Sequence, residues 1–299
     1  MDIERRKFLE QGAFGAAALA VLGLSPGTAV WSHAFRRAAG IKVAVTDWNL
    51  HLEGKIEAFA IAKDSGMDGV QVSLGKNNPA KGEENLPMFN PERQKQWVEE
   101  SKKTGMPIVG TCLEILHRDN LKAHADGPKW VEQSIAATAA LGTKVILLPF
   151  FGKQQIKEKE EQKATADRLK VLAPLAEKAG VILGLENTIS AEENVWIMDQ
   201  VGSPAVKVYY DVGNSFNQKY DVYKEIVWLG KDRVCQLHIK DNPHFLGKGP
   251  IDMPKFVEAI LKSGFEGWAV LETSCPTKNI KEDFVTNGTY LRGLLGEKK

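Results

Sequence analysis

Four residues able to bind a metal ion or carry a proton stand at the ends of four successive apolar runs in the second half of the chain. They are Glu186, Asp211, His238 and Glu272. Asp and Glu together number 38 and His numbers 6 in 299 residues, so such residues closing four consecutive runs would be a rare coincidence. Charged side chains are also rarely buried without a partner. We infer that the four share one task.

Binding a divalent metal ion is the task that best suits these residue types. Three carboxylates around one point repel one another and raise their own pKa values unless a cation lies between them. Oxygen ligands with one imidazole suit Mn²⁺, our first expectation, with Mg²⁺, Co²⁺ and Zn²⁺ as alternatives. The other interpretation is a polar plug or a salt-bridge cluster, for which Lys240 is the one cation close to these ends in sequence.

The elements that must position these residues are short β-branched apolar runs, which alternate with longer amphipathic segments from Lys42 onward. This alternation is typical of repeated βα units around a parallel sheet. Eight strands are predicted: 42–48, 69–73, 107–112, 144–149, 181–186, 206–211, 234–238 and 267–272.

Glycines and amphipathic segments mark the helices between the strands. Helical spacing of apolar residues predicts helices over 91–104, 129–141, 157–178 and 254–262. Glycines before seven of the strands indicate helix ends: Gly66, Gly105, Gly142, Gly180, Gly202, Gly230 and Gly264.

A closed (β/α)₈ TIM barrel over residues 41–299 is the predicted fold. The alternative, an open doubly wound sheet, usually has fewer strands and often a glycine-rich first turn, which the segment after Trp48 lacks. In a closed barrel the active site lies at the carboxyl ends of the strands, where the four residues would meet.

The length and charge of the chain narrow the classes of partner. A single barrel of about 250 residues fits within 299, so one domain is expected. Lys and Arg number 39 against 38 Asp and Glu, which provides no broad positive field, so nucleic acid is not an expected partner. A homo-oligomer is compatible with the sequence.

Residues 1–40 have the pattern of a targeting segment and linker. Arg5 and Arg6 precede an apolar stretch over 13–24 that is shorter than the roughly 20 residues of a membrane span. The paired arginines resemble a twin-arginine export signal, which predicts a periplasmic or extracytoplasmic protein without a stable membrane span after signal removal. A basic amphipathic arm is the alternative interpretation.

Several linked motifs carry a resemblance to a known family. In order and spacing, the chain over 42–295 resembles the sugar phosphate isomerase/epimerase family of the xylose isomerase-like TIM-barrel superfamily. The motifs are Gly184-Leu185-Glu186-Asn187, Tyr210-Asp211-Val212-Gly213-Asn214, His238-Ile239-Lys240-Asp241, Leu246-Gly247-Lys248-Gly249 with Ile251-Asp252, and Gly267-Trp268-Ala269-Val270-Leu271-Glu272.

The resemblance implies one metal ion held by the four residues and bound to two adjacent sugar oxygens. It makes Glu186 and Glu272 the catalytic pair: one removes the proton alpha to a carbonyl, and the other returns a proton to the enediolate. The chain departs from the family's ketose epimerases, having Asn214 where they carry His and His244 where they carry Arg. The exact substrate therefore stays open.

Six residues are candidates for binding the substrate. For Glu192 a charge at a helix N-terminus is the competing interpretation. For His117 and Trp48 loop structure or core packing competes, and Lys240 could instead pair with a metal carboxylate. Asn214 and His244 can each hydrogen-bond a hydroxyl. They are Asn214, Lys240, His244, Glu192, His117 and Trp48.

The leading prediction is a metal-dependent isomerase or epimerase acting on a small-molecule sugar or glycoside-derived substrate. Alternatives are a lyase or dehydratase that uses the same proton abstraction on a keto-sugar or glycoside, and a non-catalytic sugar-binding protein. Abasic-site endonucleases share this barrel, but they need further metal ligands. Asn214 stands where one would be, and no Asp-x-His pair follows His238 in the next loop.

Overall fold

The barrel is closed, as predicted. A computed structural model of the protein describes residues 40–81 and 85–296, so the predicted export signal lies outside the described residues. Eight parallel strands follow one another around the barrel in chain order, and β1 pairs with both β2 and β8. Parallel pairing places all eight carboxyl ends at one rim, which is where the predicted ligands must meet.

Each strand lies within two residues of its predicted bounds. Glu272 and Trp48 lie just beyond their strands, although the Glu272 backbone N–H still donates to the Ile239 carbonyl at 3.1 Å. The strands are β1 (Ile41–Thr46), β2 (Val70–Ser73), β3 (Ile108–Cys112), β4 (Val145–Pro149), β5 (Ile182–Glu186), β6 (Val206–Asp211), β7 (Val234–Ile239) and β8 (Gly267–Leu271).

The four predicted helices are present, and one of them, α2, has the predicted bounds. Five further helices lie in the described part of the chain. The helices are α1 (Ala58–Asp64), α2 (Pro91–Thr104), α3 (Gly127–Ala140), α4 (Lys159–Ala179), α5 (Ala191–Val201), α6 (Val212–Asn217), α7 (Val222–Arg233), α8 (Met253–Ser263) and α9 (Ile280–Leu294). No helix among the described residues is long and apolar enough to cross a membrane.

The seven glycines predicted to end helices all have a positive φ, between 64° and 74°. Six of them follow a helix, whereas Gly230 lies at a kink inside α7, with ψ −179°. Gly180 shows the arrangement: it follows α4, and its N–H donates to the Glu177 carbonyl at 3.0 Å. Residues with a Cβ rarely adopt this φ, so glycine allows each helix to stop and the chain to turn into the next strand.

Polar side chains occupy part of the barrel interior beneath the rim. Gln71 on β2 and Gln236 on β7 are buried, and so is Tyr209 on β6. The Tyr209 hydroxyl donates to Gln71 Oε1 at 2.9 Å, and Gln236 Nε2 donates to the Val109 carbonyl at 2.6 Å. These hydrogen bonds connect strands on opposite sides of the barrel, β6 with β2 and β7 with β3. The interior just below the rim is therefore polar and held together by hydrogen bonds.

Candidate active site

The carboxyl ends of β5 to β8 bring the four predicted ligands together. Glu186 and Asp211 close β5 and β6, His238 is the penultimate residue of β7, and Glu272 follows β8. One possible ligand atom from each residue lies within 4.8 Å of those of all the others. His238 is fully buried and the two strand-closing carboxylates are 3% exposed. The barrel thus assembles the cluster that the strand ends predicted.

The His238 ring lies at the centre of the cluster. Its Nδ1 atom is 2.7 Å from Glu186 Oε1, 3.6 Å from Glu272 Oε2 and 3.7 Å from Asp211 Oδ2. Its Nε2 atom is 2.9 Å from Gln71 Oε1, a carbonyl oxygen that can only accept. Nε2 therefore carries a hydrogen and donates, which turns the Nδ1 lone pair of the neutral ring toward the three carboxylates.

This arrangement fits a divalent cation. The Nδ1 lone pair faces three carboxylates, so a proton or a metal ion must lie between this nitrogen and the carboxylate oxygens. One imidazole nitrogen with carboxylate oxygens is a donor set that divalent ions accept. The outward hydrogen bond of Nε2 is also the arrangement in which metal-bound histidines are normally held.

The protonation of the cluster without a metal follows from burial and charge. Burial raises the pKa of Glu186 to about 7, although His238 opposes the rise. Burial by itself lowers the pKa of His238, but the carboxylates of Glu272 and Glu186 outweigh it and raise this pKa to about 10. In the metal-free protein His238 is therefore protonated at neutral pH, and a metal ion must displace that proton.

Lys240 reaches into the same cluster. Its Nζ lies 2.7 Å from Asp211 Oδ2 and also contacts Glu272 Oε2. Burial acts to raise the pKa of Asp211, but the Lys240 ammonium and His238 hold it well below its usual range. A Cβ at Gly213 would lie 2.6 Å from Lys240 Cγ, so the glycine of the Asp-Val-Gly-Asn motif makes room for the lysine stem. Lys240 offsets part of the negative charge.

A cavity of about 350 Å³ opens onto the cluster. Four of the six predicted substrate-binding residues line it: Trp48, His117, Asn214 and Lys240. The remaining lining residues are Glu53, Cys112, Glu114, Leu147, Phe151, Glu186 and Glu272. The predicted catalytic pair therefore faces an open space next to the metal-ligand cluster.

Aromatic side chains form one wall of this cavity. The His117 ring stacks on Phe151 with centroids 5.8 Å apart and planes 17° from parallel. Trp48 packs edge-on against His238 at 5.9 Å, and its Nε1–H donates to Glu272 Oε1 at 3.1 Å. Trp48 thereby both closes the cavity and fixes the orientation of one catalytic candidate.

The other two substrate-binding candidates lie away from the cavity. Glu192 is exposed in the first turn of α5, where its charge complements the helix N-terminus. His244 is exposed in the loop after β7, where its backbone N–H donates to the Asp241 carbonyl at 3.0 Å. The structure thus brings together four of the six, and the substrate contacts of all six remain predictions.

Two buried residues of the site were missed in the sequence. Gln71 supports His238 from β2, and Asp47 follows β1, where its Oδ2 accepts from the backbone N–H groups of Gly54 and Ser73, each at 3.0 Å. Burial raises the pKa of Asp47 to about 8. The sequence does indicate Gln71, as a polar residue inside an apolar strand. Its hydrogen bond to His238 on β7 could not be predicted from the sequence.

Comparison with known proteins places this chain in a family. Residues 59–291 match the family described as xylose isomerase-like TIM barrel. A 2-epi-5-epi-valiolone 7-phosphate 2-epimerase from an Actinoplanes species is 26% identical over 215 residues, which cover 70% of this chain and 76% of that protein.

Solved structures share the fold over most of its length. D-psicose 3-epimerase from Clostridium cellulolyticum H10 with D-tagatose superposes with a TM-score of 0.69 at 17% identity, covering 85% of this chain and 99% of that one. The 3-keto-D-glucoside 4-epimerase of E. coli gives 0.68 at 17% identity, covering 85% and 99%. The closed barrel and the family match together show that the chain belongs to the xylose isomerase-like TIM-barrel family.

Proposed function

We propose that this protein is a divalent-metal-dependent isomerase or epimerase that removes a proton from the sugar carbon next to a carbonyl. The observation that carries the proposal is the position of Glu186 and Glu272. Both line the cavity and both approach His238 Nδ1, although they come from β5 and β8. The names of the relatives described above, all epimerases, support a sugar isomerase/epimerase-like enzyme.

The four cluster residues would hold the ion, with Mn²⁺ our first choice. When bound, a divalent ion supplies stabilisation of the negative charge that develops on the substrate oxygens. The two glutamates then divide the proton transfers. One carboxylate takes the proton alpha to the carbonyl, and the other carboxylic acid returns a proton to the enediolate. Which of them acts first depends on which epimer is bound.

The two glutamates have different surroundings in the metal-free protein. Burial raises the pKa of Glu186 to about 7, so near neutral pH both the carboxylate and the carboxylic acid are populated in the metal-free site. Glu272 is held in place by the Trp48 indole and the Lys240 ammonium. These two contacts fix the orientation of Glu272, which positions its carboxylate for proton transfer.

The remaining cavity residues bind and orient the sugar in this proposal. The stacked rings of His117 and Phe151 offer a flat surface to the C–H face of a sugar. The Asn214 amide on α6 also lines the cavity and can bond a hydroxyl.

Deuterium exchange tests the proposal. The metal-loaded protein is incubated in D₂O with a panel of keto-sugars and 3-keto-glycosides, and the recovered sugars are analysed by mass spectrometry and NMR. An epimerase incorporates deuterium at the carbon next to the carbonyl and forms the epimer, and chelator-treated protein does neither. An unsaturated product would identify a lyase instead. A sugar that binds without any exchange would contradict catalysis.

We also propose that the protein is exported through its paired arginines. Arg5 and Arg6 precede the apolar stretch, and a second pair, Arg36 and Arg37, lies beyond it and provides a matched control. Replacing the first pair with lysine is expected to abolish periplasmic accumulation in cell fractionation, whereas replacing the second pair is not. Normal accumulation of the first variant would refute the signal.

A further inference from the structure

The loops after β7 and β8 are where TIM barrels often hold a substrate phosphate, through backbone N–H groups and a helix N-terminus. The loop after β7 contains Gly247-Lys248-Gly249, whose glycines could approach such a group. Here the carboxylate of Asp241 already lies in this loop and is 2% exposed. Its Oδ2 accepts from the Gly249 N–H at 3.0 Å, and its Oδ1 accepts from the Ile251 N–H at 3.3 Å.

The close approach of the Asp241 carboxylate explains why position 249, the second glycine of Gly247-Lys248-Gly249, is a glycine. A Cβ at Gly249 would lie 2.3 Å from Asp241 Oδ1, so no other residue fits against the carboxylate without a shift. The loop is therefore built around an anion that belongs to the protein. A phosphate could use these N–H groups only by displacing a buried carboxylate, which would then lose its own hydrogen bonds.

In the loop after β8, side-chain oxygens likewise accept hydrogen bonds from the loop's backbone N–H groups. Asp283 on α9 is 2% exposed, and its two oxygens accept from the backbone N–H of Thr277 at 3.0 Å and from the Thr277 hydroxyl at 2.6 Å. The Ser274 N–H donates to Asn242 Oδ1 at 2.6 Å. Side-chain oxygens thus occupy backbone donors in both loops.

The charge of the cavity points in the same direction. Its lining includes four glutamates, Glu53, Glu114, Glu186 and Glu272. Among the described residues that line it, Lys240 is the one lysine or arginine, and its ammonium already pairs with Asp211 and Glu272. Lys76 pairs with Glu53 and Glu114 from outside the lining. With Asp211 the five carboxylates exceed the charge of two lysines and one divalent ion by one, so a phosphate dianion would meet no unpaired positive charge among these residues.

We propose that the substrate is a sugar or glycoside without a phosphate group, because Asp241 and Asp283 occupy the loop donors that a phosphate would need. This rests on the proposed function of the same site. The cavity of about 350 Å³ lies near the lower end of the roughly 300–1,000 Å³ of ligand pockets, which suits a small uncharged sugar.

Matched substrate pairs test this specificity. The Mn²⁺-loaded protein is given D-fructose against D-fructose 6-phosphate and D-ribulose against D-ribulose 5-phosphate, and solvent deuterium exchange is measured for each. The uncharged member is expected to exchange with a kcat/KM at least roughly tenfold higher, a difference of about 1.4 kcal/mol. Equal or faster exchange of the phosphorylated member would overturn the proposal.

A binding experiment decides the inference even if none of these sugars exchanges, a result that would count against the proposed function alone. Inorganic phosphate is titrated calorimetrically into wild type, into Asp241→Gly, which frees the loop N–H groups, and into Asp252→Asn. The last variant removes the same charge from the same loop but keeps an oxygen on the Lys255 N–H.

Asp241→Gly is expected to bind phosphate at least roughly tenfold more tightly than wild type, with Asp252→Asn unchanged. Wild-type phosphate binding that persists after metal removal would overturn the proposal, as would a folded Asp241→Gly with no gain. Circular dichroism melting establishes whether that variant is folded. If it is not, the wild-type titration decides alone.

Discussion

The two halves of the barrel rim differ in how they use residues of the same types. The ends of β5 to β8 carry the buried cluster of Glu186, Asp211, His238 and Glu272. The ends of β1 to β4 carry the aromatic wall and a second group of metal-ligand type, Cys112, Glu114 and His117, whose ligand atoms also lie within 4.8 Å of one another. Residue type and proximity alone do not separate the two.

Charge balance does separate them. Glu114 has a cation partner, because Lys76 Nζ lies 3.3 Å from its Oε2. Burial raises the pKa of the Cys112 thiol well above its usual value and lowers that of His117, so neither carries a charge at neutral pH. The first-half group is nearly neutral as it stands. The cluster at the ends of β5 to β8 keeps an excess of negative charge even with Lys240 beside it. We infer that uncompensated negative charge is the feature that identifies the metal site.

The largest expected effect comes from removing a ligand in the second half. Asp211→Asn and His238→Ala should each abolish metal retention while leaving a folded barrel, since ligands at strand ends contribute little to the core. The loss of affinity should exceed the roughly 10–100-fold that losing a supporting partner causes. Elemental analysis after dialysis measures it. Cys112→Ala is the control from the first half and should retain stoichiometric metal. Loss of metal from Cys112→Ala, with metal retained by Asp211→Asn and His238→Ala, would place the metal site in the first half instead.

Replacing a catalytic glutamate should weaken metal binding, which the amide oxygen still supports, and stop the chemistry once metal is saturating. Glu186→Gln and Glu272→Gln are expected to lower turnover by roughly 100 to 10,000-fold at saturating metal, the usual contribution of a positioned acid or base. Each variant should still wash deuterium into one epimer only, because the remaining glutamate can exchange its proton. Glu114→Gln is the first-half control and should lose far less. Normal turnover in both metal-loaded variants would leave the glutamates as ligands alone.

Gln71 and Gln236 offer a test of support for the metal site from within the barrel. Gln71→Leu removes the acceptor of the His238 Nε2–H and should weaken Mn²⁺ binding by roughly 10–100-fold. Gln236→Leu removes an equally buried amide that bonds the Val109 carbonyl instead. Both should lower the melting temperature, but only the first should change metal affinity. Equal affinities in a competition titration would reduce Gln71 to a packing role.

A rise in pH should have opposite effects on two properties of the His238 cluster: the stability of the metal-free protein and the affinity for the metal. The folded-state pKa of His238, about 10, exceeds its usual value of 6.5, so its stabilisation is full below about 6.5 and is lost as pH rises toward 10. Raising the pH should therefore lower the melting temperature of the metal-free protein. It should strengthen metal binding, by up to about tenfold per pH unit for one displaced proton. Melting curves at about pH 6 and about pH 9, with and without Mn²⁺, measure both; metal affinity that does not vary with pH would contradict a protonated His238.

The smallest effect is expected in the aromatic wall. His117→Ala removes a stacking partner of Phe151 and should raise KM several-fold with little change in kcat, consistent with the roughly 0.5–1.5 kcal/mol of an aromatic pair. His124 stacks on Trp130 at 4.7 Å without lining the cavity, so His124→Ala is the matched control. A large fall in kcat for His117→Ala would mean that the first half takes part in the chemistry.

Much of this site could be predicted from the sequence, because its defining features are local along the chain. Apolar runs closed by Glu186, Asp211, His238 and Glu272 fixed four strand ends, and glycines such as Gly105 marked where helices must stop. A closed parallel barrel has one rim for all its carboxyl ends, so the fold class by itself implied that the four would meet.

Only the tertiary structure decided which neighbours those residues have. Trp48 and Glu272 are bonded across 224 positions, and Gln71 and His238 across 167, pairs that no sequence period could specify. Strand alternation indicates whether a side chain points inward, but the partner it meets depends on barrel closure and register. Lys240 illustrates the difference. Its place after β7 was evident from the sequence, whereas its position between two carboxylates depends on the space left by Gly213 in α6.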